Sequence, residues 1–154
     1  MQAGNWRDTP ATNSNIGRPK YKRFPIVERT SIHSRPEQAD GKRFGDFEMD
    51  LIVDSYNHAI LTIVERSTNM LFMTKLAHGK KSDPLAKAVR RLLLPYKKHI
   101  KTITTDNGPE FAAHKLITKY LGAVVYFADP YALWQKGSDR KYKQTHQTVY
   151  SKAH

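Results

Sequence analysis

The sequence predicts an α/β domain built on a mixed sheet, and three observations carry that prediction. Three β-branched-rich runs, "FEMDLIVD", "AILTIVER" and "MLFMTKL", follow one another at hairpin spacing. After them, apolar periodicity alternates between helix and strand, in the order helix, strand, helix, strand. Right-handed crossovers then set the later strands parallel to each other.

Taken in chain order, residues 1–45 come first. "GRPKYKRFP" and "SRPEQADGKR" mix Pro, Gly and cations without a period, so this stretch reads as a basic arm or linker. Residues 47–54, 59–66 and 70–76 then form an antiparallel meander, with "SYNH" and "STN" as its turns. "SDPLAKAVRRLLL" opens with Ser82 or Asp83 as N-cap and Pro84 in the first turn. Leu85, Ala88, Val89, Leu92 and Leu93 give that helix one apolar face, and Pro95 ends it. "KTITTD" (101–106) is a strand, "EFAAHKLITKYLG" (110–122) a helix closed by Gly122, and "AVVYFAD" (123–129) a further strand.

A chain of 154 residues with 39% hydrophobic residues fits one domain around one core. Without cysteine there is neither a disulfide framework nor a thiolate metal site. The seven histidines are scattered, with no pair at helical ligand spacing. "MQAGNWRDTP" is too polar for a signal peptide, and no apolar run approaches the ~20 residues of a membrane span. The expectation is a soluble, cytoplasmic protein with no membrane partner. Net charge is +12, concentrated in the flanks: residues 1–45 hold nine Lys/Arg against four Asp/Glu, and residues 136–154 hold five against one. Such an excess favours a polyanionic partner through counterion release, or is a solvated basic surface.

Two carboxylates stand out. Asp50 lies inside "FEMDLIV", where burying a lone carboxylate costs several kcal/mol unless it is paired or binds a cation. Alternation puts Glu48, Asp50 and Ile52 on one face and Met49, Leu51 and Val53 on the other. An edge position beside an Arg is the other reading of Asp50. Asp106 ends its strand in "TITTDNGPEF", either as a turn-capping residue or as a site carboxylate at the carboxyl end of a parallel strand. If the two strands are neighbours, both carboxylates can meet one divalent cation. Hard oxygen ligands favour Mg²⁺ or Mn²⁺ over zinc.

"GDFEMDLIV", "ILTIVERST", "KTITTDNGPEF" and "VYFADPYALWQKG" together closely resemble the catalytic core of the insertion-sequence-thirty family of bacterial transposases. The likeness runs from "SIHSRP" (31–36) to Gly137. It implies a ribonuclease-H-like, retroviral-integrase-type fold with a mixed five-stranded sheet flanked by helices. It also implies an Asp-Asp-Glu triad holding two metal ions ~3.5–4 Å apart, which activate water or a DNA 3′-hydroxyl and stabilise the leaving oxygen. By this resemblance Asp50 and Asp106 are the two aspartates and the metal is Mg²⁺ or Mn²⁺. The partners are DNA, both inverted-repeat ends and target, with homo-oligomerisation at full length. Arg66, Trp134 and Lys136 are candidate contacts to DNA phosphate or bases, with core packing as the other reading of Trp134. The family's N-terminal helix-turn-helix region would precede this chain.

The third carboxylate is missing. Family spacing puts a Glu at position 140, with 33 residues between it and Asp106, but the residue there is Arg140. Asp139 is a poor substitute, with a shorter arm and no helical pattern to aim it. When Ser138 onward is back-translated with suitable codons, a one-base shift reads "AIENTNKLIRQYIPKH", which contains the family's Glu-Asn and a helical Leu/Ile pattern. The expected organisation is therefore an arm over 1–45, an incomplete core over 46–137 lacking its C-terminal helix, and an out-of-frame tail over 138–154. The expected function is a DNA strand-cleaving and strand-joining core that is inactive or severely impaired. The alternatives are a non-catalytic DNA-binding fragment and a ribonuclease-H-like nuclease.

Overall fold

Pairing of the β-branched runs builds the centre of the molecule. The computed structural model describes residues 26–130, 132 and 135. Its strands are β1 (Thr30–Ser31), β2 (Asp46–Val53), β3 (Ala59–Glu65), β4 (Leu71–Leu76), β5 (Thr102–Thr105) and β6 (Val124–Phe127). They form one sheet in the order β1-β6-β5-β2-β3-β4. The β2–β3–β4 meander is antiparallel, whereas β5 pairs parallel with both β2 and β6. The sheet thus has the mixed character expected, with one strand more than the five predicted. The extra strand comes from the stretch read as an arm: Thr30 and Ser31 pair parallel with Tyr126 and Phe127.

Two helices, α1 (Ser82–Leu93) and α2 (His114–Leu121), cover a single face of the sheet. Phe47, Met49, Leu61, Ile63, Ile103 and Val125 point into that face and meet Leu85, Val89, Leu93, Ile117 and Leu121. A buried side chain of this size contributes about 1.5–3 kcal/mol, so this layer is the main source of stability. Neither Ser82 nor Asp83 caps α1. Ser82 is already helical, Lys81 is the N-cap residue, and no side chain closes that end. Beyond Leu93 the chain tightens into a 3-10 segment, Leu94–His99, because Pro95 cannot continue the α-helical ladder. The second helix begins later than its pattern suggests. Pro109–Phe111 form a separate 3-10 turn, and α2 starts at His114 and ends on left-handed Gly122.

Residues 32–43 lie across the opposite, polar face. Arg35 donates to Thr104 Oγ1 (3.0 Å), and Arg66 reaches back to the carbonyl of Ala39. Arg43 pairs with buried Asp46 at 2.9 Å, and Asp46 also accepts from Thr102 at 2.7 Å. The described part of the arm is therefore packed structure: Arg43 is spent on a buried acid of the sheet and Arg35 on Thr104.

Gly45 and Glu65 lock the base of the meander. A Cβ at Gly45 would stand 2.1 Å from the His99 carbonyl oxygen, and its φ of +111° also favours glycine. Fully buried Glu65 accepts from Gly45 N, Ser67 Oγ, Thr68 N and Thr68 Oγ1 at 2.6–3.0 Å. Burial pushes its carboxyl up, but these bonds outweigh it and hold the group below the usual carboxylate range. With the folded pKa depressed, this stabilisation is full above the unfolded value and is lost as pH falls through the folded one. Glu65→Ala strands several buried donors and should cost about 2–4 kcal/mol in chemical denaturation at pH 7, with a smaller deficit at low pH. A loss below about 0.5 kcal/mol at pH 7 would show that the carboxylate does not tie this corner.

Candidate active site

The parallel pairing of β2 with β5 decides where the two aspartates go. Asp46, Phe47 and Glu48 register with Thr102, Ile103 and Thr104. Continued by two residues, the same offset sets Asp106 beside Asp50. Alternation turns both toward the polar face, on the side of Glu48 and Thr104. Asp106 follows the last residue of β5, at the carboxyl end of a parallel strand. Asp50 lies within β2, flanked by β3 through its pairing with Thr62. Both residues are half-buried.

Each carboxylate is oriented by backbone. Asp50 Oδ1 accepts from Leu51 N at 2.9 Å, and Asp106 Oδ1 accepts from Gly108 N at 2.9 Å. The turn after Asp106 is anchored from two sides. Asn107 accepts from Arg29, just before β1, and donates to the carbonyl of Ala128, just after β6. At the same end of β6, Asp129 receives His33 Nε2 and Gln135 Nε2, each at 2.8 Å, and its own N–H donates to Gln135 Oε1. The Gln135 and His33 bonds hold its carboxyl below the usual range. These contacts fix the loops that frame the carboxylate end of the sheet.

A third carboxylate shares this neighbourhood. Glu110, on the turn after Asp106, folds back so closely that a Cβ on Gly108 would lie 2.3 Å from its Oε1. Burial raises its pKa, opposed first by the hydrogen bond from its own backbone N–H; the charges of Asp106 and Asp50 raise it further and Lys80 lowers it. Glu110 and Lys80 were not among the residues singled out from sequence. The spacing of "DNGPEF" is a usable signal, but periodicity makes Glu110 the start of a helix, and the 3-10 turn at Pro109 is what swings it inward. Among the described residues, no three His, Cys, Asp or Glu side chains converge closely enough to hold a metal. Asp50 and Asp106 fit Mg²⁺ or Mn²⁺ as a hard oxygen donor pair, and the described residues supply no third ligand.

Arg66, expected as a DNA contact, is enclosed in the structure. Its side chain is only 11% exposed, and Nε lies 3.0 Å from Glu48 Oε1 beneath the residue 32–43 segment. A guanidinium enclosed in this way balances a buried acid. Trp134, Lys136 and Arg140 lie outside the described residues.

No protein-family model matches the chain. It is 44% identical over 117 residues to the transposase for insertion sequence element IS4351 of Bacteroides fragilis, covering 74% of this chain and 35% of the relative. It is 34% identical over 116 residues to the transposase InsI for insertion sequence element IS30A of Escherichia coli K12, covering 74% and 30%. The chain thus spans about a third of the length of these relatives. Among solved structures it resembles the catalytic core domain of BIV integrase, with TM-score 0.52 and 22% identity over 65% of this chain and 64% of that one. That likeness establishes the fold as ribonuclease-H-like.

Two outcomes are expected here. Arg66→Ala leaves buried Glu48 without its cation and should destabilise the fold by about 3–5 kcal/mol, with Glu48→Leu in the same chain recovering much of the loss. Equal stability with impaired DNA binding would instead restore Arg66 as a DNA contact. For Glu110 the folded pKa lies above 4.5, so the folded state keeps this proton longer than the unfolded one. Its contribution to stability therefore falls as pH rises from about 4.5 to the folded value, then levels off. Glu110→Gln should therefore gain stability at pH 7 relative to pH 4.5. Parallel denaturation at the two pH values checks this, and identical pH dependence in both proteins contradicts it.

Proposed function

Since the matched part of this chain belongs to the insertion-sequence transposases of the IS30 family, we propose that it is built to cleave and join DNA strands with Asp50 and Asp106 as the divalent-metal ligands. The observation that carries the reading is the β2–β5 register, which brings these two carboxylates to neighbouring positions at one end of the sheet. Divalent ions bound there would supply activation of the attacking hydroxyl and stabilisation of the leaving oxygen. The chain's own residues supply the frame. Strand pairing on both sides holds β2, Gly108 N–H orients Asp106, and Asn107 ties the turn to the end of β6. The partners in this reading are transposon-end and target DNA, and the setting is the cytoplasm, where bacterial DNA lies.

The third family carboxylate is Arg140 in this sequence. A guanidinium in place of a carboxylate repels metal, so this chain should bind the ions weakly and turn over slowly or not at all. Residues 138–154 read as an out-of-frame tail, which sequencing the gene past the Gly137 codon tests directly. The biochemical comparison sets the 154-residue protein against a version carrying "AIENTNKLIRQYIPKH" from position 138. The second should show Mn²⁺-dependent cleavage of terminal-repeat DNA at least about 100-fold above the first and tighter Mn²⁺ binding by calorimetry. Asp50→Asn and Asp106→Asn should each abolish both gains. Robust turnover by the 154-residue protein refutes the proposed impairment. Activity that survives both Asn substitutions refutes the site itself. Salt-sensitive DNA binding without any metal-dependent cleavage would favour a non-catalytic binding fragment, and cleavage confined to RNA–DNA hybrids a ribonuclease-H-like nuclease.

A further inference from the structure

Charge in the central part of the chain is segregated. From Pro84 to Thr105 there are six Lys/Arg and no Asp or Glu. The structure shows where they go. While Leu85, Ala88, Val89 and Leu93 face the core, Lys87, Arg90, Arg91, Lys97, Lys98 and Lys101 are all exposed. Lys87, Arg90 and Arg91 lie on α1, Lys97 and Lys98 on the 3-10 segment Leu94–His99 and Lys101 directly before β5, and α1 alone is about 18 Å long. B-DNA presents one phosphate charge per ~1.7 Å of axis, so a duplex along α1 would offer about ten.

None of these six cations is ion-paired with a described carboxylate. The ion pairs among the described residues draw instead on Lys42, Arg43, Arg66 and Lys115, together with two histidines. The two arginines are held by neutral partners. Arg91 Nη2 donates to Thr74 Oγ1 at 3.0 Å, and the Arg90 guanidinium stands 5.1 Å from the centre of the Tyr120 ring. Both keep full charge while losing freedom they would otherwise lose on binding. The arrangement works against helix stability, since like charges at i,i+3 and i,i+4 cost a few tenths of a kcal/mol each. A second copy docked here would set cation against cation. Just ahead of α1, exposed Lys80 acts on Glu110, so the stripe begins beside the carboxylate end of the sheet.

We propose that the outer face of α1 and the 3-10 segment after it binds the phosphate backbone of duplex DNA, independently of sequence. The assignment of DNA as the polyanion rests on the function proposed above, but the face does not use Asp50 or Asp106. Fluorescence anisotropy of a labelled duplex, read across a salt series with the 154-residue protein, tests it. Lys87→Gln/Lys97→Gln/Lys98→Gln should weaken binding at least about 10-fold and flatten the slope of log affinity against log salt by two to three. Arg90→Gln/Arg91→Gln should act in the same direction. A control, Lys75→Gln/Lys119→Gln, removes charge elsewhere and should change affinity less than about twofold. Unchanged affinity and slope in both stripe variants overturns the proposal. So does an equal loss in the control, or displacement of the duplex by polyglutamate at equal charge concentration. Asp50→Asn/Asp106→Asn separates the two readings: loss of metal binding with intact stripe-dependent DNA binding supports both. Failure of only one measurement identifies which reading is wrong.

Discussion

A column of acids on one strand sets the terms for the rest of the molecule. Asp46, Glu48 and Asp50 alternate along β2 toward the sheet face opposite the one that α1 and α2 cover. Three carboxylates on one face of a central strand cannot be buried without compensation. The fold answers them in sequence. Arg43 and Thr102 take Asp46, and Arg66 takes Glu48 while residues 32–43 close over the pair. Asp50, half-buried at the open end of the column, has Asp106 and Glu110 as its acidic neighbours. Arg43, Thr102 and Arg66 thus answer the acids at the base of the column, and further acidic residues gather at its end.

Much of this was legible from residues because the signals are local. The meander follows from β-branched runs with short turns, and the face of α1 from apolar residues three and four apart. Alternation assigned Asp50 to the face opposite Met49, and the core confirms Met49 on the helix side. What sequence could not deliver depends on contacts distant along the chain. Thr30 and Ser31 carry no strand pattern and become a strand only because the edge of β6 is available. The acceptors that fix Arg35 and Arg66 lie 69 and 27 residues away. A cation's burial is set by what folds over it, so Arg66 looked like a surface contact. Glu110 was missed because periodicity does not distinguish a helix start from a 3-10 turn folded back on glycine.

Averaging charge over long segments also hid a feature that position reveals. Nine acids in residues 46–135 nearly balance twelve cations there, which suggests a neutral centre between basic flanks. In space the balance dissolves. Asp46, Glu48, Asp50, Asp106, Glu110 and Asp129 gather on the polar face and around the carboxyl ends of β5 and β6, whereas the cations of α1 face outward from the helix layer. Acids and exposed cations are therefore concentrated on different sides of the domain, and a polyanion meets different fields according to where it approaches.

On the function proposed above, Glu110 bears on why a third ligand would come from elsewhere in the chain. It sits four residues after Asp106 on the same turn, so its reach is limited by that turn's geometry, and its carboxyl lies back over Gly108. Burial and the charges of Asp106 and Asp50 disfavour its ionised form, which is the form that binds metal. Rotating it toward the aspartates would increase that repulsion before any ion arrives. A ligand carried by a separate element can instead approach from the open side, and its charge need enter only with the metal. Two aspartates on paired strands define a fixed edge of such a site; closing it requires a carboxylate free of that edge, and Glu110 is bound to it by sequence.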